Sequence, residues 1–137
     1  MESAHRRASR LALAALFSVT GTAHVVAPGP FEHIVPGWLP GSAPAWNRAA
    51  TVAELTCALL LAGRRTSHAG GAAATATLAA VWVANVQAAV DGGYDMLPGP
   101  LGSRGVAWIR VPLQLPLLWW AWTLWRGDRP GGRRGSR

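Results

Sequence analysis

Two charged side chains stand where a chain rarely places them. Arg110 lies inside Val106–Trp125, VAWIRVPLQLPLLWWAWTLW, which holds no other charge. Glu54 lies near the middle of Ala45–Ala62, AWNRAATVAELTCALLLA, whose only other charge is Arg48, one turn in from its start. An isolated charge at the centre of an apolar span costs about 2.5–3.5 kcal/mol on insertion scales, so each calls for a partner. The simplest expectation is that Glu54 and Arg110 pair with one another, since bidentate hydrogen bonding offsets much of that cost. Gln114 follows Arg110 by four residues and shares its helical face. His24 and Asn85 stand late in two further apolar runs. These five groups can hydrogen-bond a small ligand. They can equally form a satisfied polar lock between helices that binds nothing. They do not make a self-sufficient catalytic set. No histidine pair stands at metal-ligating spacing, no nucleophile has a base beside it, and no phosphate loop is present. No metal site is expected, and catalytic residues are not assigned. The one cysteine, Cys57, leaves no partner for an intrachain disulfide and reads as a packing residue.

The elements that must position these groups are apolar and helical in length. Twenty helical residues rise about 30 Å, the thickness of a bilayer's hydrocarbon core. Four such spans are expected, at about 11–27, 45–62, 72–90 and 106–125, giving an all-α transmembrane four-helix bundle. The first run admits a second reading, as a secretory signal with a basic lead and a cleavage site near Val25-Val26-Ala27. Residues 27–44, APGPFEHIVPGWLPGSAP, carry five prolines and three glycines and read as an irregular loop. Its apolar residues mark it as a cap at the membrane interface, with Pro36 and Pro40 bending the chain and Trp38 as a headgroup-depth anchor.

All thirteen basic residues are arginines, and the net charge is +7. The arginines bracket apolar runs, which points to anionic lipid rather than nucleic acid. The lead at 1–10, the turn at 63–71 and the tail at 126–137 together hold ten arginines against three elsewhere. The positive-inside rule therefore sets both termini in the cytoplasm of a multi-pass protein. The tail, rich in arginine and glycine, reads as disordered.

Depth follows from the helical rise of about 1.5 Å per residue. From each span's outer end, His24 lies about 5 Å down, Arg110 about 6 Å, Asn85 about 8 Å, Gln114 about 12 Å and Glu54 about 13 Å on that rise. All five fall in the outer half, and the inner half looks nearly free of polar groups. Alanines at spacing four, Ala72, Ala76, Ala80, Ala84 and Ala88, predict close helix packing. So do Ala50, Ala58 and Ala62 in the second span. Pro112 and Pro116 leave carbonyls one turn earlier, such as that of Trp108, without their usual donors. Those carbonyls could serve a ligand, a water or Asn85, and Trp108 could stack on Arg110.

Several motifs carry a resemblance when taken in order. Gly21-Thr22-Ala23-His24, Val35-Pro36-Gly37-Trp38-Leu39-Pro40, Glu54, Asn85 and Arg110-Val111-Pro112-Leu113-Gln114 together resemble the DoxX-like family of small four-helix membrane proteins. The match runs from about Leu11 to Trp125. It departs at Val25, where the family often has an aromatic residue, and at Thr51, where it often has glycine. The resemblance implies a genuine first helix, a bacterial inner (plasma) membrane and a compact bundle. Because the family includes members tied to quinone-linked oxidation, it also implies a quinone and a redox partner subunit. The leading expectation is thus a polar outer pocket in an accessory or quinone-interacting subunit. The alternatives are a structural or assembly protein, alone or as a homo-oligomer, and a transporter of a small solute or protons. The transporter is disfavoured because no inverted repeat and no polar inner path are visible.

Overall fold

A computed structural model, which describes residues 2–94, 97 and 99–127, is all-helical. Five α-helices follow one another: α1 (Ala4–Val26), α2 (Pro28–His33), α3 (Ala43–Ala62), α4 (Ser67–Asp91) and α5 (Arg104–Gly127). A short 3-10 turn at Gly99–Gly102 precedes α5. Among the described residues, strand-like pairing is confined to the isolated bridge between Gly93 and Ser103. By length and composition, α1 and α4 are apolar enough to cross a membrane. With 20 and 24 residues, α3 and α5 are long enough, but they fall short in apolarity. Asn47, Arg48 and Glu54 dilute α3. Arg110, Gln114, two prolines and a run of indoles dilute α5.

Several expected boundaries move. Helix α4 starts at Ser67 rather than at 72, so the second half of the expected 63–71 turn is helix. Helix α1 starts at Ala4 rather than Leu11, because Ser3 caps it by accepting from the Arg6 amide at 3.3 Å. The basic lead is therefore mostly helix, and Arg10 is only 4% exposed. Its guanidinium donates to the Glu2 carboxylate at 3.0 Å and to the carbonyls of Leu61 and Ala62. Those carbonyls end α3 and lack intrahelical donors, so a cation there satisfies them and suits the negative end of the helix dipole. The end of the molecule expected to be free of polar groups thus contains a buried arginine. In residues 27–44, the prolines do not forbid a helix. Pro28 and Pro30 fall in the first turn of α2, where no amide hydrogen is required. At the other end, Arg126 and Gly127 continue α5. Residues 128–137, the rest of the expected disordered tail, lie outside the described residues.

Helix α3 packs on α1 and α4, and α5 packs on α4. The circuit closes where the Trp120 indole donates to the Ser9 hydroxyl at 2.6 Å, joining α5 to α1. One end of the body, the turn end, holds the start of α1, the α3–α4 turn and the last turn of α5. The opposite loop end holds residues 27–42, 92–94, 97 and 99–103. The main core, with Leu13, Phe17, Cys57, Leu61, Leu78 and Leu124, occupies the half towards the turn end. Packing there is tight: a Cβ on Gly71 would lie 2.5 Å from the Trp125 amide nitrogen, and one on Gly70 would lie 2.8 Å from that of Leu61. The alanine stripe of α4 does not make this contact along its whole length. Ala88 is buried, but Ala76 and Ala80 are exposed to a hollow that opens towards the loop end.

Candidate functional site

The five polar groups singled out in the sequence form two clusters. The first joins α1 to α3. His24, in the last turn of α1, places Nδ1 2.6 Å from Oδ1 of Asn47 and Nε2 3.4 Å from Oε1 of Glu54. The Asn47 amide group donates to the His24 carbonyl at 3.1 Å. Gly21 makes this approach possible. A Cβ there would lie 2.9 Å from Leu55 Cδ2 and 3.3 Å from Glu54 Cβ, so its absence lets α3 come close beside His24. Glu54 is 5% exposed, and its second oxygen, Oε2, has no hydrogen-bond partner among the described residues.

The second cluster joins α4 to α5. Asn85 donates to Gln114 Oε1 at 2.5 Å and accepts from the Tyr94 hydroxyl at 2.9 Å. Gln114 in turn donates to the Leu78 carbonyl at 2.8 Å. The network is buried and its side chains serve one another, as a lock between two helices requires. Tyr94 lies beyond the end of α4, where Gly92 stops the helix with a left-handed φ of 117°. Burial pushes the Tyr94 hydroxyl above the ordinary phenol range, against the opposing pull of the Arg110 cation.

Arg110 corrects the central expectation. The ion-pair partner of Glu54 is His24, and the Arg110 guanidinium lies 4.7 Å from the centre of the Tyr94 ring. It is therefore Tyr94, not Trp108, that receives the cation. The reason is helix order: α5 is a neighbour of α4, whereas Glu54 faces α1 across the α1–α3 contact. The proline-freed carbonyls are not the partners of Asn85 either. The backbone oxygen of α5 that receives a side chain from α4 is that of Val111, from the Trp82 indole at 3.0 Å.

Between the clusters lies a cavity of about 650 Å³. Ala50 and Ala53 of α3 face Ala76, Ala80 and Ala84 of α4 across it, and small side chains leave the space unfilled. His24, Asn47 and Glu54 line one side, and Arg110 also contributes to the lining. Asn85 and Gln114 do not line it. The 27–42 segment covers the cavity. Phe31 of α2 stacks on His24 with ring centres 3.8 Å apart. Trp46 donates to the Pro40 carbonyl at 2.8 Å, and the exposed Trp38 donates to Gln87 at 3.3 Å. Pro36 is buried. The expected cap is thus a cover strapped to α3 and α4.

Sequence reasoning missed Asn47 and Tyr94. Asn47 lies two turns before Glu54 on one face of α3, level with a histidine near the loop end of α1, and that register was a usable signal. Tyr94 gave no periodic signal because it lies outside any helix. Among the described residues, no group of three or more His, Cys, Asp or Glu side chains is placed to hold a metal ion. The family model described as a domain of unknown function, DUF8561, matches residues 13–125. No curated protein and no solved structure matches the chain.

Proposed function

The chain belongs to the DUF8561 family, and from its cavity we propose a small multi-pass membrane protein that binds an apolar molecule with a polar end. In this reading α1, α3, α4 and α5 form a transmembrane four-helix bundle. Large apolar side chains exposed on every one of them support it: Val19, Val52, Leu59, Val83, Leu113 and Trp119 among others. Apolar surface on all sides is costly in water and costless against lipid. Leu13 and Phe17 of α1 are buried in the main core, which favours a retained first helix over a cleaved signal. In this reading the arginine count favours the turn end in the cytoplasm and the covered cavity in the outer half of the bilayer, and the DoxX-like resemblance is what suggests a bacterial inner membrane.

The carrying observation is the cavity itself. Its 650 Å³ falls within the range of small-molecule sites, about 300–1,000 Å³, and its walls are apolar with a few convergent polar groups. The DoxX-like motifs suit the same placement, with His24 and Glu54 at the cavity and a quinone in a membrane redox complex as the candidate occupant. Native mass spectrometry of protein gently extracted from its own membrane tests this. A bound apolar molecule should accompany the wild type and be lost from Ala80→Phe, which fills the space from α4. Bare protein in both cases, still folded, would favour the second reading, a structural or assembly protein. That reading draws on one observation: the Asn85–Gln114–Tyr94 network satisfies itself and needs no ligand.

A further inference from the structure

The hydrogen bonds around His24 fix which groups donate and which accept. Asn47 gives its amide hydrogens to the His24 carbonyl, since the flipped amide would set two oxygens against each other. Its Oδ1 is then an acceptor, so His24 Nδ1 carries a proton. On the other side of the ring, one proton lies between Nε2 and Glu54 Oε1. Whether that proton sits on the nitrogen or the oxygen, Oε2 of Glu54 remains an acceptor. Oε2 is buried and has no donor among the described residues, while Glu54 lines the cavity. A buried carboxyl oxygen without a donor is destabilising. The cavity that Glu54 lines is large enough for more than water, and a turn of the carboxyl group about its last bond presents Oε2 to an occupant.

We infer that the occupant of this cavity carries a hydroxyl group that donates a hydrogen bond to Glu54 Oε2. This rests on the reading of the cavity as a ligand site and narrows the ligand to an apolar molecule with a donor head. A molecule presenting only carbonyl or ether oxygens cannot serve that atom, so a quinone carrier would be held here in its reduced, quinol form. The hydroxyl could belong to a reduced aromatic carrier or to a hydroxylated lipid, two sources of one chemistry.

The test uses the full-length protein in lipid nanodiscs, with Trp38 and Trp46 at the cavity as fluorescence reporters. The probes are 4-decylphenol and its methyl ether, which differ in the donor hydrogen. Ala80→Phe measures what merely partitions into the bilayer. The phenol should bind at least about tenfold more tightly than the ether, the scale of one hydrogen bond to a charged or buried acceptor. Glu54→Gln, which can turn an amide donor to the cavity, should erase or invert that preference. If Glu54→Gln fails to fold, the wild-type ratio still decides. Equal binding of phenol and ether overturns the donor assignment and leaves the ligand site standing. Binding of neither above the Ala80→Phe level overturns the ligand site as well. In a second arm, a decyl benzoquinol, its benzoquinone and 1-decanol are compared. Quinol bound, with quinone and decanol rejected, assigns a reduced redox carrier. Decanol bound as tightly as phenol assigns a hydroxylated lipid.

Discussion

At the scale of single residues, the chain's one tyrosine offers a direct reading of the α4–α5 cluster. Tyr94 is buried, its hydroxyl donates to Asn85, and Arg110 lies over its ring. Ionising it would place a phenolate in a shielded site and remove that donation, so burial raises its pKa, with Arg110 acting the other way. Ultraviolet titration of the phenol should give a midpoint above the ordinary value of about 10, and Arg110→Gln should raise it further. The sign for stability follows. A folded-state pKa above the unfolded one means the contribution is complete below pH about 10 and is lost as pH rises through the folded value. A midpoint at or below the free phenol would contradict the buried placement. Asn85→Leu should be costlier than Tyr94→Phe, because it strands both Gln114 and the Tyr94 hydroxyl, at about 1–3 kcal/mol for each buried group left unpaired. Thermal unfolding in detergent measures the order. His24, Glu54, Asn85, Arg110 and Gln114 were all legible in the sequence as polar groups needing partners. Which partner each takes was not, because rise along a helix gives level but not which helix stands beside which.

At the scale of elements, the same alanine-rich composition has opposite outcomes at the two ends of α4. Towards the turn end, Gly70 and Gly71 draw the backbone onto Leu61 of α3 and Trp125 of α5. Towards the loop end, Ala76, Ala80 and Ala84 meet equally small residues of α3 and leave a hollow. Helix α4 stays packed on α5 at the loop end through Ala88, Ala89 and Ala107 but parts there from α3, so the small-residue stripe reads as packing in one half and as a cavity wall in the other. The sequence showed the stripe and not this division, since spacing four is identical in both halves. Gly71→Ala puts a Cβ against backbone that cannot rotate away, and it should cost about 1–3 kcal/mol as an overpacking change. Gly21→Ala meets mainly the flexible end of Leu55 and should cost less. Thermal melts of the two variants check the order, and equal costs would mean that α4 and α5 can part without penalty. The cover was misjudged for a related reason. Prolines block a helix interior but not its first turn, and Pro28 and Pro30 both fall in the first turn of α2.

At the scale of the whole molecule, the two ends are built for different work. The turn end is sealed: Arg10 ties α1 to the last carbonyls of α3, Trp120 ties α5 to Ser9, and the main core fills the space between. The loop end is hollow and covered by a strap that indole hydrogen bonds hold in place. If the arginine count sets orientation, the sealed end faces the cytoplasm and the covered cavity faces out, within reach of molecules in the outer leaflet. A body sealed at one end and open at the other suits binding from one side better than passage through, which needs a polar path across both halves. Orientation is checked with Ser42→Cys in the cover and Thr66→Cys in the α3–α4 turn. The native Cys57 is 1% exposed and should stay silent towards a membrane-impermeant maleimide. In intact spheroplasts Ser42→Cys should label and Thr66→Cys should label only after lysis. The reverse pattern would put the cavity on the cytoplasmic side, and any lipid-soluble occupant would then have to enter from the inner leaflet.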